Sequence, residues 1–161
     1  MNFSFVEKIL MSIVEHYNHK KYWKLRSRVI NPNNHYPKLL KYYWLFKIKR
    51  MDAFNNASMG TYINHGTKFL TPPNLPHHLN GIIIAEYAEI GKNCTIFQQV
   101  TIGEENGKAA KIGDNVMIGA GAKIIGDVRI GSHVKIGANA VVLQDIPDGC
   151  TAVGVPAKVI K

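Results

Sequence analysis

The chain has 161 residues, with 20 Lys/Arg against 11 Asp/Glu, a formal net charge of +9 and two cysteines. That length holds one domain, or one domain and a small appendage, with a core large enough to need no disulfides. Cys94 and Cys150 are too few for a disulfide framework or a cysteine metal cluster and fit a reducing cytosol, and no run of about eighteen apolar residues is present to span a membrane.

The N-terminus opens MNFSFVEKILMSIVEHY, where Glu7 and Lys8 interrupt the apolar residues and no small-residue cleavage site follows, so it does not read as a secretory signal. Phe5, Val6, Ile9, Leu10, Ile13, Val14 and Tyr17 recur at spacings of three and four, which predicts an amphipathic helix over 3–19. Asn31, Pro32, Asn33 and Asn34 break the chain. Pro37 then opens PKLLKYYWLFKIKR, a second predicted helix with proline in its first turn. This helix mixes aromatic and basic side chains. Either it packs on the main domain or it lies at a membrane interface. Residues 1–57 hold eleven Lys/Arg and three Asp/Glu, a balance of +8, whereas residues 58–161 hold nine and eight, a balance of +1. The basic third is a solvated face or attracts an anionic partner. A nucleic acid is not expected, because no nucleic-acid motif accompanies the charge. Asn55, Asn56, Ala57 and Ser58 mark the join, giving a basic helical segment over 1–57 and a second domain over 58–161.

From Ile84 onward the period is six. Ile84, Ile90, Ile96 and Ile102 are followed by Ile112, Ile118, Ile124, Ile130, Ile136 and Val142. Four positions after most of these stands a compact or β-branched residue, as at Ala88, Cys94, Val100, Val116, Ala122, Val128, Val134 and Ala140. Such repeats specify a stacked, quasi-one-dimensional architecture. Six residues make one short strand and one corner, and three units close a triangular coil. Parallel coils then stack about 4.8 Å apart with the isoleucines inward. Glycine after many isoleucines (Gly91, Gly103, Gly113, Gly119, Gly131, Gly137) is expected to ease the tight backbone at the corners. The step from Ile102 to Ile112 is ten, so a loop over about 103–111 protrudes. After Val142 a turn-rich stretch ends the regular coil, and residues 143–161 form a C-terminal cap.

IGKNCT, IGDNVM, IGAGAK, IGSHVK and IGANAV resemble the hexapeptide repeats of the left-handed β-helix acyltransferases. GIII at 81–84, IFQQVTIG at 96–103, VMIGAGAKIIG at 116–126, VKIGANAVV at 134–142 and VGVPAKVI at 153–160 are most similar to the serine acetyltransferase-like branch. The resemblance covers about half of the chain. It implies a mainly β fold, a left-handed parallel β-helix behind a short α-helical segment, and it supplies the left hand that periodicity alone does not. It also implies acetyl-CoA as co-substrate and a homotrimer with sites between subunits. No metal is expected, because the repeats contain only His133 where a zinc site needs several histidines, and the two cysteines add the expectation of a cytoplasmic setting.

An acyl transfer to a hydroxyl needs a base, and imidazole suits neutral pH. His16, His19 and His35 fall in the N-terminal helices and are expected at the surface, His133 sits at a corner, and His65 is ambiguous. NLPHHLNGIII places His77 and His78 just before the first regular coil. Counting back from Gly81, as the resemblance suggests, selects His78, whereas the Pro-His pair selects His77. Both stay open. The family's orienting aspartate lies about fifteen residues upstream, where this chain reads TYINHGTK, and Asn64 is the nearest match. By the same resemblance Gly103, Ala120 and Ala138 border the pantetheine arm, Gly103 stands near the oxyanion, Lys135 and Lys158 meet the CoA phosphates, and Gln98 faces the acceptor.

The loop ending KAAKIG lacks the basic-His pair of serine acetyltransferases, no aspartate precedes either histidine, and a basic segment replaces their long acidic helical domain. These departures point to a sugar hydroxyl in polysaccharide or lipopolysaccharide biosynthesis as acceptor, with serine O-acetylation as the alternative. A non-catalytic β-helix scaffold is the reading from another class. The basic helices add the expectation of peripheral contact with the inner face of a membrane.

Overall fold

The computed structural model describes Ser4, Val14 and residues 16–160. The helix predicted over 3–19 lies for the most part outside the described residues. Helix α1, His19–Ile30, starts at Asn18, whose side-chain oxygen accepts from the Lys21 amide at 3.0 Å. The apolar stripe over 3–19 does not announce this helix. Its own signals are the asparagine cap and a buried face of Tyr22, Leu25, Arg26 and Val29. Helix α2, Lys38–Phe54, follows Pro37 and runs four residues past the predicted Arg50, burying Lys41, Trp44, Ile48 and Asp52. Among the described residues no helix is long and apolar enough to cross a membrane.

Two buried charged side chains hold the helices in place, Asp52 joining α1 to α2 and Arg26 fastening α1 to the β domain. The Tyr22 hydroxyl donates to Asp52 Oδ1 at 2.7 Å. The Arg26 guanidinium, 2 % exposed, donates to Thr61 Oγ1 and to the carbonyls of Met59 and Thr67 at 3.1, 3.2 and 2.6 Å. Burial lowers the Arg26 pKa to about 10 and raises that of Asp52 to about 6.

The β domain is a three-faced solenoid. On the first face Ser58–Met59, Ile83–Ile84, Thr101–Glu105, Lys123–Ile125 and Val141–Val142 run parallel, and Ile84, Ile102, Ile124 and Val142 stand in register. On the second, Lys68–Phe69, Glu89–Ile90, Lys111–Ile112 and Arg129–Ile130 align Ile90, Ile112 and Ile130. On the third, Thr95–Ile96, Met117–Ile118, Lys135–Ile136 and Thr151–Val153 align Ile96, Ile118, Ile136 and Ala152. Every repeated aliphatic from Ile84 to Val142 is buried, and so are the eight compact residues that follow them by four. Each fully buried isoleucine contributes roughly 1.5–3 kcal/mol.

Stacking extends beyond the regular period at both ends. Below it, Ser58–Met59, Lys68–Phe69 and Asn74 form a coil whose third strand is reduced to the Asn74–Thr95 bridge. The period is hidden there because a hairpin, Thr61–Tyr62 with His65–Gly66, is inserted at a corner. Above it, Ile146 bridges to Ile130 and Ala152 pairs with Ile136, so the coil goes on past Val142. Lys158–Val159 then turns back antiparallel on Thr151–Val153. The residues added between Ile102 and Ile112 form a second hairpin, Glu104 opposite Ala109, turning at Asn106 and Gly107 with φ of 53° and 74°.

The corners correct the expected role of glycine. Positive φ falls on Asn93, Gln99, Asn115, His133 and Asn139, between 54° and 60°, each just before a compact buried residue. The glycine after the isoleucine serves another purpose, close approach of the next coil. A Cβ on Gly119 would lie 2.6 Å from the Ala138 nitrogen, and one on Gly113 2.7 Å from that of Ser132. Asparagine tolerates the left-handed region, so most of these bends need no glycine, and Gly121, with φ of 71°, takes the same position on one coil.

Candidate functional site

The corner between the third and first faces gathers most of the expected site residues. The Gln99 amide donates to the Asn80 carbonyl, that of Gly121 to Gln98, and that of Asn139 to Ala120, each at 2.8–2.9 Å. These bonds stack Gln98, Ala120 and Ala138 in one column, one residue per coil. Gln98 and Ala120 are half-buried and Ala138 is exposed. The compact side chains leave the main chain of this edge accessible to an extended ligand. Gln98 Oε1 is buried and makes no hydrogen bond.

The turn Pro76–Gly81 enters at the foot of this column. Its two histidines face different surroundings. The exposed His77 ring stands 6.1 Å, centroid to centroid, from Phe97, the residue before Gln98. His78 adopts φ of 57°, is half-buried, and packs its ring 5.5 Å from Tyr17. Tyr17, 3 % exposed, shares a hydrogen bond of 2.9 Å with His19 Nδ1. Burial raises the Tyr17 hydroxyl well above the usual phenol range. Desolvation, and then the neighbouring His78, lower the pKa of His19. His19, expected on the surface, is therefore half-buried beside the turn. No periodicity announces this contact, because it joins residues about sixty positions apart.

Lys135 is exposed on the third face, two strands away from the exposed Lys158 of the antiparallel return. Gly103 stands outside the column, at the foot of the hairpin on the first face, where its carbonyl accepts from the Gly126 amide at 3.2 Å. Asn64 sits at a different corner, in the turn of the Thr61–Gly66 hairpin between the first and second faces. Its Oδ1 accepts from the buried Lys41 ammonium at 2.7 Å, and its amide donates to Val29 at 2.9 Å. Under the histidine turn runs the end of α2 instead, where the Asn55 carbonyl accepts from the Gly81 amide at 2.9 Å and the Ser58 amide donates to Ile82 at 2.8 Å. His133 occupies the corner between the second and third faces with φ of 60°.

Residues 109–144 match the family model "Bacterial transferase hexapeptide (six repeats)". Over these residues the chain carries the hexapeptide repeat of that transferase family, and its parallel solenoid is similar to the left-handed β-helix acyltransferases. The serine acetyltransferase of Staphylococcus aureus is 50% identical over 88 residues, 52% of this chain and 41% of the relative. That of Synechococcus elongatus is 40% identical over 105 residues, 63% of this chain and 38% of the relative. The crystal structure of Neisseria gonorrhoeae serine acetyltransferase in complex with serine superposes with a TM-score of 0.61 at 40% identity, covering 75% of this chain and 48% of that one. A serine acetyltransferase in complex with CoA gives 0.64 at 33% identity, covering 74% and 48%. The hexapeptide-repeat chain thus spans less than half the length of these relatives.

These likenesses overturn the expected sugar acceptor and its place in polysaccharide or lipopolysaccharide biosynthesis, since the relatives and neighbours are serine acetyltransferases. The expectation rested on side chains missing from one loop and from the positions before the two histidines, and on a basic segment in place of an acidic helical domain, none of which shows what other groups hold the acceptor.

Proposed function

We propose that the chain transfers an acetyl group from acetyl-CoA to the hydroxyl of serine, with His77 as general base. The observation that carries this reading is the exposed His77 imidazole at the foot of the Gln98–Ala120–Ala138 column, which shares its edge with accessible main chain. His77 Nε2 or Nδ1 accepts the hydroxyl proton of serine as its oxygen bonds to the thioester carbon. Backbone N–H groups of the accessible main chain along this edge meet the oxyanion, and Gly103, which stands outside the column, is not among them. The C–S bond then breaks, and the imidazolium returns its proton to the leaving thiolate, giving O-acetylserine and free CoA. Ala120 and Ala138 border the pantetheine arm, Lys135 and Lys158 hold the phosphates, and Gln98 faces the acceptor. His78, turned toward Tyr17, supports the turn. Asn64, bound to Lys41 at another corner, takes no part.

The column lies open on the molecular surface, so a second copy is needed to close it. We propose a homotrimer with the co-substrate between protomers. The test is thiol release from acetyl-CoA with L-serine, threonine and sugar nucleotides as acceptors. Serine-dependent release, abolished in His77→Ala, is expected. Release that ignores serine would reject the acceptor, and absence of release with every acceptor would favour a non-catalytic scaffold.

A further inference from the structure

Helix α2 carries two apolar stripes where a surface helix ordinarily carries one. Lys41, Trp44, Ile48 and Asp52 face the fold. On the opposite side Leu39, Tyr42, Tyr43 and Phe46 follow at spacings of three, one and three and are 82%, 59%, 52% and 62% exposed, with Phe54 two turns further on at 54%. Tyr43, Phe46 and Phe54 line an open groove of about 590 Å³ with Lys47 and Arg50, and the Phe54 ring lies 3.9 Å from that of His16. The Lys47 ammonium sits 4.5 Å over the Tyr43 ring of this face, and that of Lys49 4.8 Å over Tyr62 of the neighbouring Thr61–Gly66 hairpin, so cations interleave with the aromatic rings here. Between residues 16 and 57 the only acid is Asp52, and it is 2% exposed.

We propose that the outer face of α2 docks on an anionic lipid bilayer, lying in the headgroup plane with Leu39, Tyr42, Tyr43 and Phe46 inserted and Lys38, Lys47, Lys49 and Arg50 against lipid phosphates. Aromatic and aliphatic side chains rimmed by cations are the composition of an interfacial helix, and the balance of +8 over residues 1–57 complements an acidic surface. A second copy is a poorer occupant, because it would set one such basic segment against another. The inference is independent of the acceptor and of the acetyl-transfer reading.

The test is sedimentation of the full chain with phosphatidylcholine vesicles and with vesicles in which about a third of the lipid is phosphatidylglycerol. Partition into the anionic vesicles is expected, with loss at high salt. The pairs Leu39→Ser with Phe46→Ser, and Lys47→Glu with Arg50→Glu, each lower it about tenfold or more. Because these side chains project from the fold, circular dichroism and Tm stay as in the parent. The proposal is overturned by no vesicle binding, equal binding to neutral vesicles, binding indifferent to both pairs, or an assembly in light scattering that the Ser pair dissolves while vesicle binding is absent. Binding of a polyanion such as poly(U) that matches the vesicles and survives the Ser pair assigns the charge to another partner and also overturns it.

Discussion

His77 and His78 are adjacent in the chain and have different surroundings. His77 is held by a turn that leaves it exposed near Phe97, while the left-handed backbone at 78 aims the second ring at Tyr17. A non-glycine residue at such a φ costs about 1–2 kcal/mol. His77→Ala is expected to lower kcat by about 10²–10⁴ without a change in Tm, the ordinary loss on removing a general base. His78→Gly is expected to lose less than about tenfold, because it relieves backbone strain and leaves the base in place. The opposite ranking in serine-dependent thiol release would move the role to His78. Asn64→Ala removes the hydrogen bond from Lys41 and is expected to lower stability by about 1 kcal/mol while leaving kcat unchanged.

At the scale of elements, Arg26 joins α1 to the solenoid and the Tyr22–Asp52 pair joins α1 to α2. Asp52 titrates near 6 in the fold because burial disfavours its carboxylate, against 3.8 unperturbed. The folded state therefore holds a proton that the unfolded state has lost, so this group's contribution is full below about pH 4 and falls as pH rises to about 6. The difference in unfolding free energy between the parent and Asp52→Asn is expected to shift by up to about 3 kcal/mol across that window and to be flat above it. Denaturant titrations at pH 4, 5, 6 and 7 measure it; a flat difference throughout would contradict the raised pKa. Within the solenoid, Gly119→Ala is expected to cost about 1–3 kcal/mol, because its Cβ would press on the backbone of Ala138, which has no flexible end to move. Ile118→Ala, in the middle of the third face and 0% exposed, is expected to cost about 2–5 kcal/mol.

At the scale of the molecule, the stacked coils make a rigid prism whose edges differ. One edge carries the histidine turn and the compact column, a second the Asn106–Gly107 hairpin and the Thr61–Gly66 hairpin, and the third His133 and its asparagine partners. Multi-angle light scattering is expected to give three copies per particle. A stable monomer with full activity would show that the column needs no neighbour.

Much of this was legible from the chain alone. The six-residue recurrence of Ile84 to Val142 determined the triangular coil, its inward residues and its register, because equal spacing along the chain forces equal coils and equal coils must stack in parallel. The same spacing could not reveal the coil over 58–75, where an inserted hairpin masks it, nor the continuation through Ile146 and Ala152. Nor could it say that asparagine makes half of the bends, with Gln99, Gly121 and His133 at the others, while the glycine after the isoleucine admits the next coil. Tertiary structure alone decided that His77 meets Phe97, that His78 meets Tyr17, and that Asn64 turns to Lys41. Those contacts are made by residues twenty to sixty positions apart in the chain, or by the helices, so they depend on how the coil closes and where the helices pack, which no local pattern encodes.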